Sequence, residues 1–145
     1  MNDDLKARLT KQLERDEDRV PYAYEDHLGF LTIGIGRLID KRKGGGLRDV
    51  EIDFLLANDI EDRLNALTKE LPWFPQLDDA RKGVLLNMSF QMGVDGLLGF
   101  KNTLAMVQAG KYEEAAEGMK NSKWYTQTPK RAERLSVQMK TGVWQ

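Results

Sequence analysis

Residues 20–36 read Val20-Pro-Tyr-Ala-Tyr-Glu-Asp-His-Leu-Gly-Phe-Leu-Thr-Ile-Gly-Ile-Gly36. Aromatic, β-branched and aliphatic residues (Tyr22, Tyr24, Phe30, Leu31, Thr32, Ile33, Ile35) are interspersed with Gly29, Gly34 and Gly36, which predicts a small antiparallel sheet with tight turns. Upstream, Leu5, Leu9 and Leu13 recur every four residues, predicting a helix capped by Asp3 or Asp4 that ends near Glu17, with Pro21 breaking it. Downstream, Asp40-Lys-Arg-Lys-Gly-Gly-Gly46 reads as a charged, turn-like connection. Val50, Phe54, Ile60, Leu64, Leu67 and Leu71 then mark a long helix stopped by Pro72 and Pro75. Everything beyond reads helical. Asp78 caps a segment with Ala80, Val84, Leu85 and Met88, Asn102 caps 104–107, a helix spans 112–119, and Thr128-Pro129 opens a last one with Ala132, Leu135, Val137 and Met139. Strands early and helices late predict an α+β protein. The expected division is a small sheet lobe over about 15–50, a linking helix over about 47–71, and a larger helical lobe over about 72–145 that includes the N-terminal helix. A ligand is expected in the cleft between the lobes.

With 145 residues, the chain is long enough for a core without disulfides, and the absence of cysteine excludes a disulfide framework and a thiolate metal site. No window approaches the roughly 20 apolar residues of a membrane span. The charged start, Asn2-Asp-Asp-Leu-Lys-Ala-Arg8, leads into no apolar stretch of signal-peptide length, so the expectation is synthesis in the cytoplasm without an export signal. Against 22 basic residues stand 23 acidic ones, a net charge of -1 that gives no global attraction to nucleic acid or anionic membrane.

Glycosidic hydrolysis needs a proton donor for the leaving oxygen and a second carboxylate for water or for attack on the sugar. Glu17, at the end of an apolar helix where packing can partly desolvate it, suits the donor, and Asp26, in a turn beside His27 and Gly29 and more exposed, suits the ionised partner. Thr32 lies on the opposing strand, where its hydroxyl can approach Asp26 and hold a water. Among 23 acids such a pair recurs by chance, and the plain alternative for Glu14-Arg-Asp-Glu-Asp-Arg19 is a solvated helix end with weak ion pairs. His27, the sole histidine, has no second histidine or cysteine to complete a metal site and reads as a surface turn residue.

Residues 13–36 carry more than the pair. Their Glu17, Asp26 nine residues on, Thr32 six further, and Thr32-Ile-Gly-Ile-Gly36 intact resemble the catalytic segment of the T-even-type bacteriophage lysozymes, glycoside hydrolase family 24. Two further blocks resemble the same family: Asn87-Met-Ser-Phe-Gln-Met-Gly93 with Gly99-Phe-Lys-Asn-Thr103, and Ser122-Lys-Trp-Tyr-Thr-Gln-Thr-Pro-Lys-Arg-Ala132 continuing to Trp144. The resemblance implies a lysozyme-like fold and an endolysin muramidase acting on bacterial peptidoglycan, with Glu17 as general acid and Asp26 with Thr32 activating water, without cofactor or metal. It also implies a monomer released through a separate holin-type pore. The family's cleft-lining positions carry over to Leu38, Phe90, Gln91 and Thr103, with Lys123 and Arg131 as nearby basic groups; a core aliphatic, a core aromatic, an early helix residue or solvated charges are the plain readings.

The chain departs from the family pattern in four places. Asp18 replaces the usual Gly after the acid, which either raises the proton affinity of Glu17 or faces solvent. Arg37 replaces a His, so a pair with a carboxylate there is an Arg pair or is absent; Gly118 stands where a polar cleft residue is common, and the connection over 41–46 is short. Three rivals remain: a wall-binding module without turnover, a polyanion-binding domain using Lys123, Lys130, Arg131, Arg134 and Lys140, and a lytic transglycosylase, which needs no water-assisting Asp.

Overall fold

Asn2, rather than Asp3 or Asp4, caps the first helix: its Oδ1 accepts from the Leu5 N–H at 2.7 Å, leaving the two aspartates in the first turn, where the helix dipole favours negative charge. The computed structural model describes residues 2–145. In chain order its elements are α1 (Asp3–Glu17), β1 (Val20–Glu25), β2 (Leu31–Gly34), β3 (Arg37–Leu38), a 3-10 turn at Lys41–Lys43, α2 (Asp49–Glu70), a second 3-10 turn at Phe74–Gln76, α3 (Asp79–Leu98), α4 (Lys101–Gln108), α5 (Tyr112–Lys120), α6 (Lys123–Gln127) and α7 (Pro129–Thr141). Seven helices and one three-stranded sheet among the described residues make the protein α+β, as the order of periodicities predicts. No described helix is long and apolar enough to cross a membrane. The chain divides within α2 into two compact units, Met1–Leu55 and Leu56–Gln145.

In the N-terminal unit the helix stops at Asp18, not at Pro21, which is the second residue of β1. Asp18 has φ 60° and ψ 167°, a region that is essentially glycine's own and costs a residue with a Cβ about 1–3 kcal/mol. Asp18→Gly therefore raises stability by about 1 kcal/mol after the greater freedom of unfolded glycine is subtracted. Thermal unfolding checks this, and an unchanged or lower Tm argues against the strain. The apolar face of α1 (Leu5, Leu9, Leu13) is exposed, and no residue of that helix is buried.

The sheet has the order β1-β2-β3, antiparallel throughout. Thr32 pairs with Tyr24 on one side and Leu38 on the other, and an irregularity interrupts β1 between Val20 and Tyr24. Asp40, buried at 3% exposure, ties the far end together. Its carboxylate accepts the Leu31 N–H at 2.9 Å and the Arg42 N–H at 2.9 Å and pairs with the Arg42 guanidinium. Arg42, with the Leu31 N–H, holds the Asp40 carboxyl well below the usual carboxylate range. The glycine-rich connection is therefore an ordered 3-10 turn capped by Asp40 rather than a loose link.

Arg37 does find a carboxylate: Glu51, in the first turn of α2, takes both guanidinium nitrogens, with Nη1 at 2.8 Å. Arg37, aided by the Arg48 N–H, pulls Glu51 down to about 2 from an ordinary 4.5. A depressed carboxylate stabilises the fold fully above its unfolded value, and that stability is lost as pH falls through the folded value. The Tm accordingly falls between pH 4.5 and about 2 in part through Glu51, and Arg37→Gln flattens that part of the acid profile. An identical acid profile in the variant argues against the pair's contribution.

The C-terminal unit buries one core. Leu67, Phe74, Val84, Leu85, Met88, Leu97, Val107, Met119, Ala132 and Met139 interlock with Trp124 and Leu135. Each large apolar side chain contributes about 1.5–3 kcal/mol on burial. Asp78 caps α3 as its position predicts, accepting from the Arg81 N–H. Arg81 then donates to the Met139 and Lys140 carbonyls at the end of α7, and Gln138 donates to the Ala80 carbonyl, so both ends of this helix pair are satisfied. Gly93, with φ 77° and ψ 165°, kinks α3. Two expected caps differ. Phe100 rather than Asn102 precedes α4, and the Thr128 hydroxyl donates back to the Trp124 carbonyl instead of accepting from α7.

Candidate active site

Within the N-terminal unit, the tight turn after β1 builds the seat of Asp26. The Asp26 N–H donates to the Phe30 carbonyl at 2.9 Å, closing the turn, and Asp26 Oδ1 accepts the Leu28 and Phe30 N–H groups, each at 2.9 Å. The Phe30 N–H, ahead of the opposing effect of burial and then the Leu28 N–H, lowers the Asp26 pKa below the ordinary 3.8. Asp26 is thus the ionised partner, but the expected cause is replaced. It is half-buried while Glu17 is exposed, so backbone donors rather than solvent keep it charged. The partial desolvation expected for Glu17 is absent.

Thr32 is buried at 6% exposure, and its hydroxyl donates to the Phe30 carbonyl at 3.0 Å rather than to Asp26. One residue, Phe30, therefore anchors Asp26 through its N–H and Thr32 through its carbonyl. Sequence reasoning missed Phe30, because its contribution is made by the backbone. Arg42 and Lys43 stack on its ring, with the guanidinium carbon 5.1 Å and the ammonium nitrogen 4.8 Å from the centroid. Asp26 Oδ2 has no hydrogen-bond partner among the described residues and stays available as an acceptor. The Thr32 hydroxyl, its proton committed, offers only lone pairs.

Glu17 reaches the same small sheet from the end of α1. Its carboxylate lies against Gly36, in the turn between β2 and β3. His27 is exposed beside it in sequence to Asp26, and no group of three metal-ligating side chains occurs among the described residues. Asp18 is exposed, so of its two readings the solvent-facing one holds. Leu38, half-buried on β3, completes the residues singled out in this unit.

A sequence profile of the family described as phage lysozyme matches residues 14–138. The chain belongs to the phage lysozyme family. It is a glycoside hydrolase of the lysozyme type, with the fold class that family implies. Among curated proteins it is 32% identical to probable T4-type lysozyme 1 of Dictyostelium discoideum, over 94% of this chain and 96% of that protein. It is 30% identical to the pre-baseplate central spike protein Gp5 of Enterobacteria phage T4, over 97% of this chain and 29% of that protein. A third relative, peptidoglycan hydrolase gp36 of Pseudomonas phage phiKMV, is 30% identical over 89% of this chain and 15% of its own length.

In this lysozyme-family member the other expected contacts fall in the C-terminal unit. Phe90, half-buried, lines an open groove of about 430 Å³ with Leu56, Ile60, Leu86, Asn87, Arg131 and Trp144. The Arg63 guanidinium stacks 4.2 Å from the Phe90 ring centroid. Gln91 is exposed, with its carbonyl taken by the Trp124 indole N–H at 2.9 Å, so its amide N–H groups remain to donate. Thr103 is buried in a different recess, beside Gly99, Phe100, Lys101, Asn102, Met106 and Gly118. A Cβ at Gly118 would lie 2.9 Å from the Thr103 hydroxyl, so the missing side chain is what opens this recess. Arg131 is committed to the Asn87 side chain and carbonyl, and Lys123 is exposed.

Proposed function

We propose that the protein is a muramidase that cleaves the β-1,4 bond between N-acetylmuramic acid and N-acetylglucosamine in peptidoglycan and so lyses the bacterial cell. Glu17 gives its proton to the leaving glycosidic oxygen as the bond from that oxygen to the anomeric carbon breaks. A water adds to the anomeric carbon from the opposite face, and its proton passes to Asp26, so the configuration inverts. Family membership carries the reaction class.

The observation that carries the assignment of the two acids is the shared anchoring of Asp26 and Thr32 on Phe30. Both groups present acceptors, Asp26 through Oδ2 and Thr32 through its lone pairs. Water has two O–H donors to satisfy such a pair and keeps a lone pair for the sugar carbon. Glu17, on a different element, is free to act as the donor. Leu38, Phe90, Gln91 and Thr103 are the proposed glycan contacts: an aliphatic and an aromatic surface for sugar faces, an amide for the N-acetyl group and a hydroxyl for a ring substituent. The same reading takes peptidoglycan as the partner, a monomer as the working form and a separate holin-type pore for release.

Turbidity of outer-membrane-permeabilised bacterial walls tests the reading. Clearing by the wild-type protein is the expected result. Binding to walls without clearing, by folded protein, overturns it in favour of a wall-binding module.

A further inference from the structure

We infer that Gly36 is a positioning residue for the reaction: the bare Cα face of its turn is the surface on which the Glu17 carboxyl group rests. The inference rests on the reading of Glu17 as the general acid. A Cβ built on Gly36 would lie 3.0 Å from Glu17 Oε2, 3.2 Å from Cδ and 3.4 Å from Cγ. Three consecutive atoms of one side chain therefore lie along a single glycine. A methyl group there is too close by a few tenths of an ångström, and the end of an exposed glutamate is free to yield. The cost of filling the space thus falls on where the proton donor sits and hardly on packing.

A plainer account is that Gly36 serves only its backbone conformation, φ +69°. Alanine at Gly34 or at Gly36 carries the same backbone strain, and only alanine at 36 touches the acid.

An acid displaced by about 1 Å costs on the order of 100-fold in rate. A displacement of a few tenths of an ångström then lowers kcat about five- to tenfold. KM hardly moves, because Gly36 has no need to touch the glycan. Wild type, Gly34→Ala, Gly36→Ala, Gly36→Asn and Glu17→Gln are compared for kcat and KM on purified, soluble, un-cross-linked glycan strands, with thermal unfolding of each as the check on folding. Asparagine tolerates a positive φ, so Gly36→Asn carries the test where Gly36→Ala does not fold. The expected result is a kcat down about five- to tenfold in Gly36→Ala and at least as far in Gly36→Asn, with KM within about twofold, while Gly34→Ala keeps kcat within about twofold. Folded Gly36 variants with the kcat of Gly34→Ala, beside an inactive Glu17→Gln, overturn the role of Gly36 alone. A Glu17→Gln protein as active as wild type removes the acid reading and this inference with it.

Discussion

Glu17→Gln loses lytic activity by about 10²–10⁴-fold, the range a positioned general acid supplies, while its Tm stays close to that of wild type. The two halves of this expectation have separate causes. Glutamine keeps the length and shape of the side chain, so it still rests on Gly36, but it has no proton to give a departing sugar oxygen at neutral pH. Glu17 is exposed at the end of α1 and makes none of the hydrogen bonds that close the sheet, so removing its charge leaves the fold intact. Initial rates of wall clearing and a thermal melt on the same preparation check both halves. A large loss of Tm would mean that the activity loss reported unfolding instead.

Asp26→Asn also lowers activity by about 10²-fold or more. Asparagine keeps an Oδ1 to accept the Leu28 and Phe30 N–H groups, so the turn still closes. What changes is the other position, where an acceptor becomes an NH₂ donor that faces a water it cannot deprotonate. The pH dependence distinguishes Asp26 from an ordinary surface carboxylate. Its lowered pKa, set first by the Phe30 N–H, means that the carboxylate persists as pH falls to 3.8 and protonates only below it. The acidic limb of wild-type kcat that reports Asp26 therefore lies below pH 3.8. A limb well above that value assigns the limb to another group.

How much of this was legible in the sequence depends on how local each cause is. The sheet was readable from residues 20–36 because strand-forming residues and glycines alternate within one short stretch. The cap at Asp78 was readable because the donor it satisfies lies three residues away. At the N-terminus the same rule admitted two aspartates, and Asn2, one residue earlier, makes the bond. The five-residue helix α6 is too short to display a period.

The three reacting side chains were legible only as residue types in a family spacing. Their environments were not, because those arise from chain reversals. Asp26 was expected to be charged through exposure; its charge comes from backbone donors that exist only once residues 26–30 have turned. Arg37 and Glu51 are 14 residues apart, and Gln91 and Trp124 are 33 apart, distances at which no periodicity announces a partner. Asp18 shows the reverse case. A resemblance marked it as standing where glycine is usual, and its positive φ supplies the physical reason.

The central claim is hydrolysis at the muramic acid side with Glu17 as the acid, and the chemistry of the newly made sugar ends tests it most directly. Purified peptidoglycan is digested with wild type and with Glu17→Gln, and the products are reduced with borohydride before sugar analysis. The account predicts muramitol, the reduced muramic acid end, from wild type and almost none from the variant. An anhydro-muramic acid end from wild type, which borohydride leaves unchanged, would mean that no water adds and that Asp26 and Thr32 do not hold one; glucosaminitol would place the cleavage at the other bond.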